Sequence, residues 1–178
     1  FAELFVTAQH HRLSDSTMPS KKATVVIGYD ARHQSLEIAK FMAYACQQAG
    51  LVVQWLGLTT TPMMAFMAQQ FSGNGLIVTA SHSQKQINGI KWLVNHESPS
   101  TDDIQHLYNA LIAYKPIIPD AQLHQAIVQS RYQTPDNYFA TYTHAIQNAF
   151  WQINQNKPKR LCYPHAPKKI VIDCMNGA

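Results

Sequence analysis

The chain has 178 residues, 46% hydrophobic and 13% charged, which is enough to bury a normal core. Its formal net charge of +4 suits a phosphorylated substrate, but the basic residues are scattered and no aromatic RNA-binding motif points to nucleic acid. The three cysteines form no Cys-x-x-Cys pair, which argues against a zinc site or a disulfide framework and favours a cytoplasmic protein with reduced thiols. No apolar run reaches about 18 residues, so no membrane span is expected.

Strands and helices are predicted to alternate along most of the chain. Apolar runs and helical periodicity predict the following elements: strands over 23–32, 51–58, 75–80 and 89–94, and helices over 35–50, 59–71, 100–114, 121–130 and 134–154. The expected N-caps are Ser35, Ser100 or Thr101, and Thr134. The last strand is expected to run antiparallel to its predecessor. The alternation predicts an α/β fold, a three-layer α/β/α domain with a mixed, mostly parallel sheet.

The last of these helices carries an apolar stripe that is predicted to pack into the core. The stripe consists of Phe139, Tyr142, Ile146, Ala149, Phe150 and Ile153. Residues 154–169 then hold three prolines and most of the local charge, which is typical of a linker. A new buried strand begins at residue 170, without chain left to supply its neighbours. We therefore expect a first domain over 1–154, a linker over 155–169 and the first strand of a second domain over 170–178.

Polar side chains follow three neighbouring strands of the predicted sheet. Arg32 follows the first strand, a cluster of threonines at 59–61 follows the second, and Ser81 follows the third. Ligands of parallel α/β sheets bind beyond the carboxyl ends of the strands. The sequence therefore predicts a site at this edge.

Several motifs that would explain a serine at this position are missing. Residues 79–83 read Thr-Ala-Ser-His-Ser and lack the flanking glycines of a hydrolase nucleophile elbow. No P-loop motif occurs. Ser81 and His82 are adjacent, and neighbouring side chains of an extended chain point apart, so they make a poor nucleophile–base pair. Spacing alone leaves open the alternative that Ser81 is only a structural residue at the end of a strand.

The loop TASHSQKQINGIK (79–91) resembles the active-site serine loop of the α-D-phosphohexomutases, the phosphomannomutase/phosphoglucomutase group. In that family the loop reads Thr-Ala-Ser-His-Asn-Pro, followed by a few variable residues and Asn-Gly-x-Lys. Three more segments resemble the family in the same order: VVIGYDARHQS (25–35), GLTTTPMMAF (57–66) and IVIDCMNGA (170–178), the last like the opening strand of the second domain. These four segments extend over most of the chain.

The resemblance implies the N-terminal domain of a four-domain enzyme, an intramolecular phosphotransferase that interconverts hexose 6-phosphate and hexose 1-phosphate. Ser81 is the implied phosphoryl carrier, and its phosphate is an implied ligand of Mg²⁺. A hexose 1,6-bisphosphate, of glucose or mannose, is the implied intermediate and activator. Domains II–IV of the same chain and a hexose phosphate are the implied partners, and the isolated piece is expected to turn over little substrate.

Three more residues of this region are candidates for catalysis. Lys91 is expected to fold back towards Ser81 and offset the charge of its phosphate or assist proton transfer, unless it is an ordinary surface lysine. Arg32 is expected to brace the loop or contact phosphate, with a salt bridge to Asp30 as the alternative. His82 is expected to orient the loop by hydrogen bonding, or to have no role beyond the loop. Thr79 and Asn88 are expected to be structural.

The sequence departs from the family pattern in three ways. Ser83-Gln84 replaces Asn-Pro, which puts the rigidity of the loop in doubt. The arginine-bearing strand Tyr-Asp-Ile-Arg-Gly is missing, and the metal, sugar and phosphate loops would belong to the other domains. Two alternatives therefore stay open: a phosphoglucosamine mutase, which Thr rather than Ser at position 79 disfavours, and a non-catalytic domain of the same fold that binds a sugar phosphate or a partner.

Overall fold

The computed structural model describes residues 24–113 and 120–155, together with residues 169 and 171. Four strands lie in this part of the chain: β1 (Thr24–Tyr29), β2 (Val52–Leu58), β3 (Gly75–Val78) and β4 (Ile90–Leu93). Five helices accompany them: α1 (Ser35–Gln48), α2 (Thr61–Gln70), α3 (Thr101–Ala113), α4 (Ala121–Gln129) and α5 (Tyr138–Gln155). The predicted order and type of the elements are confirmed.

The four strands form one mixed sheet in the order β2-β1-β3-β4. β1 pairs in parallel with β2 and β3, whereas β4 runs antiparallel to β3. Because the chain leaves β1 towards β2 and leaves β3 towards β4, the connections after these two adjacent strands diverge. Such a divergence opens a crevice at the carboxyl ends of the strands, where ligands of α/β sheets bind.

Alternating side chains of the sheet supply two cores. Val25, Ile27, Leu76 and Val78 pack with α1 on one face. Val26 and Ile77 pack with the methionines of α2 on the other face. Both faces are therefore covered by helices, as the predicted three-layer fold requires.

Two expectations about helix ends are wrong. α1 is preceded by Gln34 in a left-handed conformation, and no side chain caps it, because the Ser35 hydroxyl is engaged elsewhere. α5 begins at Tyr138 rather than at Thr134, after Asn137 with φ 52° interrupts the helical backbone. In contrast, Ser100 does cap α3: its hydroxyl accepts the N–H of Asp103 at 3.1 Å.

The prediction that the apolar stripe of α5 lies in the core is also wrong. No residue of α5 is buried, and Phe139, Phe150 and Ile153 are each more than 60% exposed. The start of the helix contacts α2 and β2: Tyr142 packs against the ring of Phe66, and the Tyr138 hydroxyl donates to the Leu56 carbonyl. Helical periodicity identifies an apolar face but does not show whether another element covers it.

The predicted linker and the predicted strand of a second domain lie almost entirely outside the described residues. Within 24–113 and 120–155, none of the helices has the length and apolarity needed to cross a membrane.

Candidate functional site

The candidate site is the segment 79–89, here called the serine loop, which connects β3 to β4. The Thr79 N–H donates to the Gly89 carbonyl at 2.9 Å and closes the base of the loop. A Cβ at Gly89 would lie 3.0 Å from the Thr79 carbonyl oxygen, so a glycine fits this close approach. The Ser81 N–H donates to Oγ1 of Thr79 at 3.1 Å. These contacts fix the position of Ser81 directly after β3.

Ser81 is exposed and has a φ of 50°, in the left-handed region that residues with a Cβ seldom adopt. A strained residue of this kind at a strand end is often found at functional sites. The conformation presents the Ser81 hydroxyl at the rim of the sheet. The sequence alone did not reveal this feature.

Lys91 contacts that hydroxyl with its ammonium group. Its Nζ donates to Oγ of Ser81 at 2.6 Å. Lys91 lies on β4, opposite Ile77 of β3, so the antiparallel pairing of the two strands carries it back to the start of the loop. A lysine ammonium at this distance stabilises negative charge that develops on the serine oxygen.

Arg32 is buried under the serine loop, with only 1% of its side chain exposed. Its Nη1 donates to the Ser83 carbonyl at 2.8 Å and to the Gln84 carbonyl at 2.6 Å. The same atom reaches the Ile87 carbonyl at 3.3 Å, and Nη2 donates to the Ser81 carbonyl. The guanidinium thus holds the loop from β3 to the Asn-Gly turn through its main chain.

Asp30 compensates the buried charge of Arg32. Its Oδ2 accepts the Nε of Arg32 at 2.9 Å, and its Oδ1 accepts the Arg32 main-chain N–H at 3.2 Å. Both proposed roles of Arg32 that involve the protein, the brace and the salt bridge, are therefore present together. A buried charge without such partners would be strongly destabilising.

Ser35 and Asn88 extend this network to the far end of the loop. The Ser35 hydroxyl donates to Oδ1 of Asp30 at 2.9 Å and lies 2.8 Å from Oδ1 of Asn88. The Asn88 side chain donates to the His33 carbonyl at 2.6 Å. Ser35, expected from the sequence to be a helix cap, is instead part of the support of the serine loop.

The ends of the parallel strands lie together, as the sequence predicted. The Asp30 N–H donates to the Val78 carbonyl at 3.0 Å, and the Thr59 N–H donates to the Tyr29 carbonyl at 2.9 Å. Gly28 makes this approach possible, because a Cβ there would overlap Cγ2 of Thr59. The Thr59 hydroxyl is buried and has no hydrogen-bond partner in the described part of the chain.

His82 is exposed, and among the described residues no hydrogen bond or ion pair involves its side chain. The geometry therefore gives no support to an orienting role for His82 within this chain.

A metal ion would find few ligands here. Within the described residues, no group of three or more His, Cys, Asp or Glu side chains could hold one. Asp30 is the carboxylate beneath the loop, and Arg32 and Ser35 already occupy both of its oxygens.

Residues 1–115 match the family model described as phosphoglucomutase/phosphomannomutase, alpha/beta/alpha domain I. The chain belongs to this family. The observed α/β/α layers agree with the fold of that domain.

Curated relatives of this phosphoglucomutase/phosphomannomutase domain include phosphoglucosamine mutases and a phosphomannomutase. A phosphoglucosamine mutase of Psychrobacter arcticus is 26% identical over 93% of this chain and 36% of its own length. A phosphoglucosamine mutase of Aliivibrio fischeri is 30% identical over 86% of this chain and 32% of its own. A phosphomannomutase of Sinorhizobium fredii is 35% identical over 50% of this chain and 19% of its own. The chain thus spans about a third or less of the length of these relatives.

A solved structure shares the fold. A protein described as a phosphomannomutase from Thermus thermophilus superposes with a TM-score of 0.63 and 19% identity, over 83% of this chain and 30% of that protein. At this identity the likeness concerns the fold alone.

Proposed function

We propose that this chain is the phosphoserine-bearing first domain, over 1–154, of a phosphohexomutase, followed by a linker over 155–169 and the opening strand of a second domain. The whole enzyme interconverts hexose 6-phosphate and hexose 1-phosphate by way of a hexose 1,6-bisphosphate. The observation that carries the proposal is the 2.6 Å contact between Lys91 Nζ and Ser81 Oγ at an exposed strand end. The chemistry proposed for each residue follows from this contact.

Ser81 Oγ accepts and returns the phosphoryl group. Transfer of a phosphoryl group depends mainly on positioning and on charge neutralisation. When phosphoserine donates to the sugar hydroxyl, a bond forms between phosphorus and the sugar oxygen, and that hydroxyl releases its proton. The bond between phosphorus and Ser81 Oγ breaks, and negative charge develops on Oγ. Lys91 offsets this charge and holds a proton at Nζ that the departing oxygen can take up. In the reverse direction the serine hydroxyl returns its proton towards the same nitrogen.

Arg32 acts as a positioning residue in this proposal. Its guanidinium is 1% exposed and already bonded to Asp30 and to the carbonyls of the loop, so it has no free face for a substrate phosphate. Of the roles expected from the sequence, bracing of the loop is the one that the contacts support. This brace also removes the main concern about Ser83-Gln84, because the loop is held without a proline.

Mg²⁺ is the proposed metal, with the phosphate on Ser81 as one ligand and its other ligands outside the residues described. When bound, the ion neutralises charge on the phosphoryl group. Glucose 1,6-bisphosphate or mannose 1,6-bisphosphate is the proposed activator, which charges Ser81 before turnover. Clamping of the sugar and exclusion of water require further domains, so this chain alone is expected to turn over little substrate. A phosphorylated hexose substrate and reduced cysteines suit a cytoplasmic enzyme.

A phosphoglucosamine mutase is the second candidate, and the names of several relatives favour it. Its chemistry at Ser81 would be the same, and only the sugar would differ. A non-catalytic domain is the third candidate, which the departures from the family motif favour. These alternatives differ in whether Ser81 becomes phosphorylated and by which sugar.

The proposal is tested by intact-mass measurement on the complete protein in which this chain occurs. Treatment with glucose 1,6-bisphosphate, mannose 1,6-bisphosphate or glucosamine 1,6-bisphosphate should add one phosphoryl group. Ser81→Ala should abolish the gain, whereas the matched change Ser83→Ala, two residues away in the same exposed loop, should leave it. No gain with any of the three compounds would favour the non-catalytic candidate, and an unchanged gain in Ser81→Ala would refute the assignment.

A further inference from the structure

Hydrogen bonds to the guanidinium of Arg32 fix the orientation of four peptide groups of the serine loop. Four main-chain carbonyls point inwards to it, those of Ser81, Ser83, Gln84 and Ile87. In a trans peptide, the C=O of one residue and the N–H of the next point in opposite directions. No cis peptide bond occurs in the described residues. The N–H groups that follow these four carbonyls therefore point away from Arg32.

These four outward N–H groups belong to His82, Gln84, Lys85 and Asn88. In the described part of the chain, none of the four donates a hydrogen bond to another protein group. Arg32 thus leaves four main-chain donors without a protein acceptor, and three of them lie within four residues of Ser81. His82, Gln84 and Lys85 are exposed residues.

Over residues 80–89, three other N–H groups of the loop are occupied, whereas those of Ala80, Gln86 and Gly89 have no acceptor in the described part of the chain. The Ser81 N–H donates to Thr79 Oγ1 at 3.1 Å, the Ser83 N–H to the Ala80 carbonyl at 2.9 Å, and the Ile87 N–H to the Gln84 carbonyl at 3.0 Å. The carbonyls that precede these three N–H groups are not bonded to Arg32. All four N–H groups that follow a carbonyl held by Arg32 are thus free in the described residues, whereas those of Ser81, Ser83 and Ile87 are occupied.

We propose that the main-chain N–H groups of His82, Gln84 and Lys85 form an anion cradle, which binds the phosphoryl group carried by Ser81. The inference rests on the proposed function, because it concerns the phosphorylated form of that residue. Successive outward-facing N–H groups, such as those of Gln84 and Lys85, make an anion-binding concavity. A bond from an N–H to a charged phosphate oxygen is stronger than a neutral one. Arg32 acts from beneath as a positioning residue, since it holds the carbonyls of the same peptides.

The cradle supplies what Lys91 alone does not. Lys91 is a single point charge on a flexible side chain, exposed to solvent. Main-chain donors fixed by a buried guanidinium need no reorganisation when the charge arrives. The phosphoryl group is therefore held in one orientation as well as neutralised.

The test uses this chain with phosphoserine incorporated genetically at position 81, so that no mutase activity is required to load it. Amide proton shifts are compared with those of the unphosphorylated chain by NMR at a pH above the second phosphate pKa. We expect the amide protons of His82, Gln84 and Lys85 to move downfield and their hydrogen exchange to slow by about tenfold or more. Ser83 and Ile87, whose N–H groups are already bonded, should change little.

Arg32→Lys tests whether the hydrogen bonds of the guanidinium matter apart from its positive charge. A lysine keeps the positive charge but lacks the planar fork that holds several carbonyls at once. In the phosphorylated Arg32→Lys chain the downfield shifts should be lost, and the second pKa of the phosphate should rise towards its ordinary value near 6. Arg131→Lys, an exposed arginine that also donates to main-chain carbonyls, is the matched control and should change neither.

Two results would overturn the cradle. One is a phosphorylated native chain in which the phosphate pKa is lowered but the chemical shifts of the three amide protons do not change. Lys91 would then be the group that stabilises the phosphate. The other is a folded Arg32→Lys chain with the downfield shifts intact. The comparison of phosphorylated with unphosphorylated native chain tests the proposal even if Arg32→Lys does not fold. Because phosphoserine is introduced independently of turnover, a failed mutase assay would not affect these readings.

Discussion

Ser81 adopts a left-handed backbone conformation, with φ 50°, that glycine accepts without strain. A residue with a Cβ pays about 1–2 kcal/mol for this conformation, whereas glycine loses about 0.5–1 kcal/mol more conformational entropy on folding. We therefore expect Ser81→Gly to have a higher free energy of unfolding than Ser81→Ala by about 0.5–1 kcal/mol, as measured by urea denaturation.

The matched comparison is Ser83→Gly with Ser83→Ala in the same loop, where φ is not positive. At that position glycine should be the less stable of the two, by about 0.5–1 kcal/mol. If both positions showed the same order, the left-handed conformation of Ser81 would be contradicted. The sequence predicted the importance of Ser81 by motif, but φ depends on how the whole loop closes between β3 and β4.

The residues beneath the loop show where prediction from sequence ends. Lys91 was expected near Ser81, because a hairpin-like return after the Asn-Gly turn carries it there. Arg32 was expected to brace the loop or contact phosphate, with a salt bridge to Asp30 as the alternative. Which carbonyls it holds was not predictable, because they belong to residues about 50 positions later in the chain. Ser35 was expected to be a cap because it precedes an apolar periodic segment. Its actual bonds to Asp30 and Asn88 depend on tertiary packing.

Among the elements, α1 is anchored in the core by residues that include Cys46, which has no exposed surface. Burial raises the pKa of the Cys46 thiol to about 12 from an ordinary value of 9.0. The thiol therefore contributes stability that is complete below pH 9.0 and is lost as the pH rises towards 12. The free energy of unfolding of the native chain should fall more steeply above pH 9 than that of Cys46→Ala.

A second measurement checks the same burial. With Cys162 and Cys174 replaced by serine, a disulfide reagent should leave Cys46 unmodified in the folded chain at pH 8 and modify it once urea is added. Rapid modification without denaturant would contradict the packing of α1 against the sheet. Equal pH slopes for the native chain and Cys46→Ala would contradict the raised pKa.

α5 is the element whose surroundings differ most from expectation. Its stripe has the period of a buried face, yet Phe150 is 63% exposed. We expect Phe150→Ser to change the free energy of unfolding of this chain by less than about 0.5 kcal/mol. Ile127→Ala in α4, where the side chain is 1% exposed, should cost about 2–5 kcal/mol by comparison.

Urea denaturation of both variants gives the test. A loss of several kcal/mol for Phe150→Ser would show that the apolar face of α5 is covered within this chain. The type and order of the elements followed from periodicity and turn residues, because those signals are local. Which faces are covered depends on contacts between distant segments, which periodicity does not report.

At the scale of the whole molecule, the mixed sheet brings three strand ends to one edge and places the serine loop above a buried ion pair. The relatives are about three times as long as this chain, so the sugar-binding and metal-binding partners of Ser81 are proposed to lie elsewhere in the protein. The strand order was not predicted from the sequence. A mostly parallel sheet with a site at one edge was predictable from the alternation of strands and helices. The choice of sugar was not, because residues that contact the sugar are not identified in this chain.

The most direct test of the account is the rate at which the complete protein interconverts hexose 1-phosphate and hexose 6-phosphate, with Mg²⁺ and a hexose 1,6-bisphosphate present. Mannose, glucose and glucosamine phosphates are assayed in parallel, with Ser83→Ala as the loop control. We predict turnover of at least one of these sugars by the native protein and by Ser83→Ala. Ser81→Ala should lose at least about a thousandfold, since the group that carries the phosphoryl is removed. Turnover by Ser81→Ala at the native rate would contradict this account.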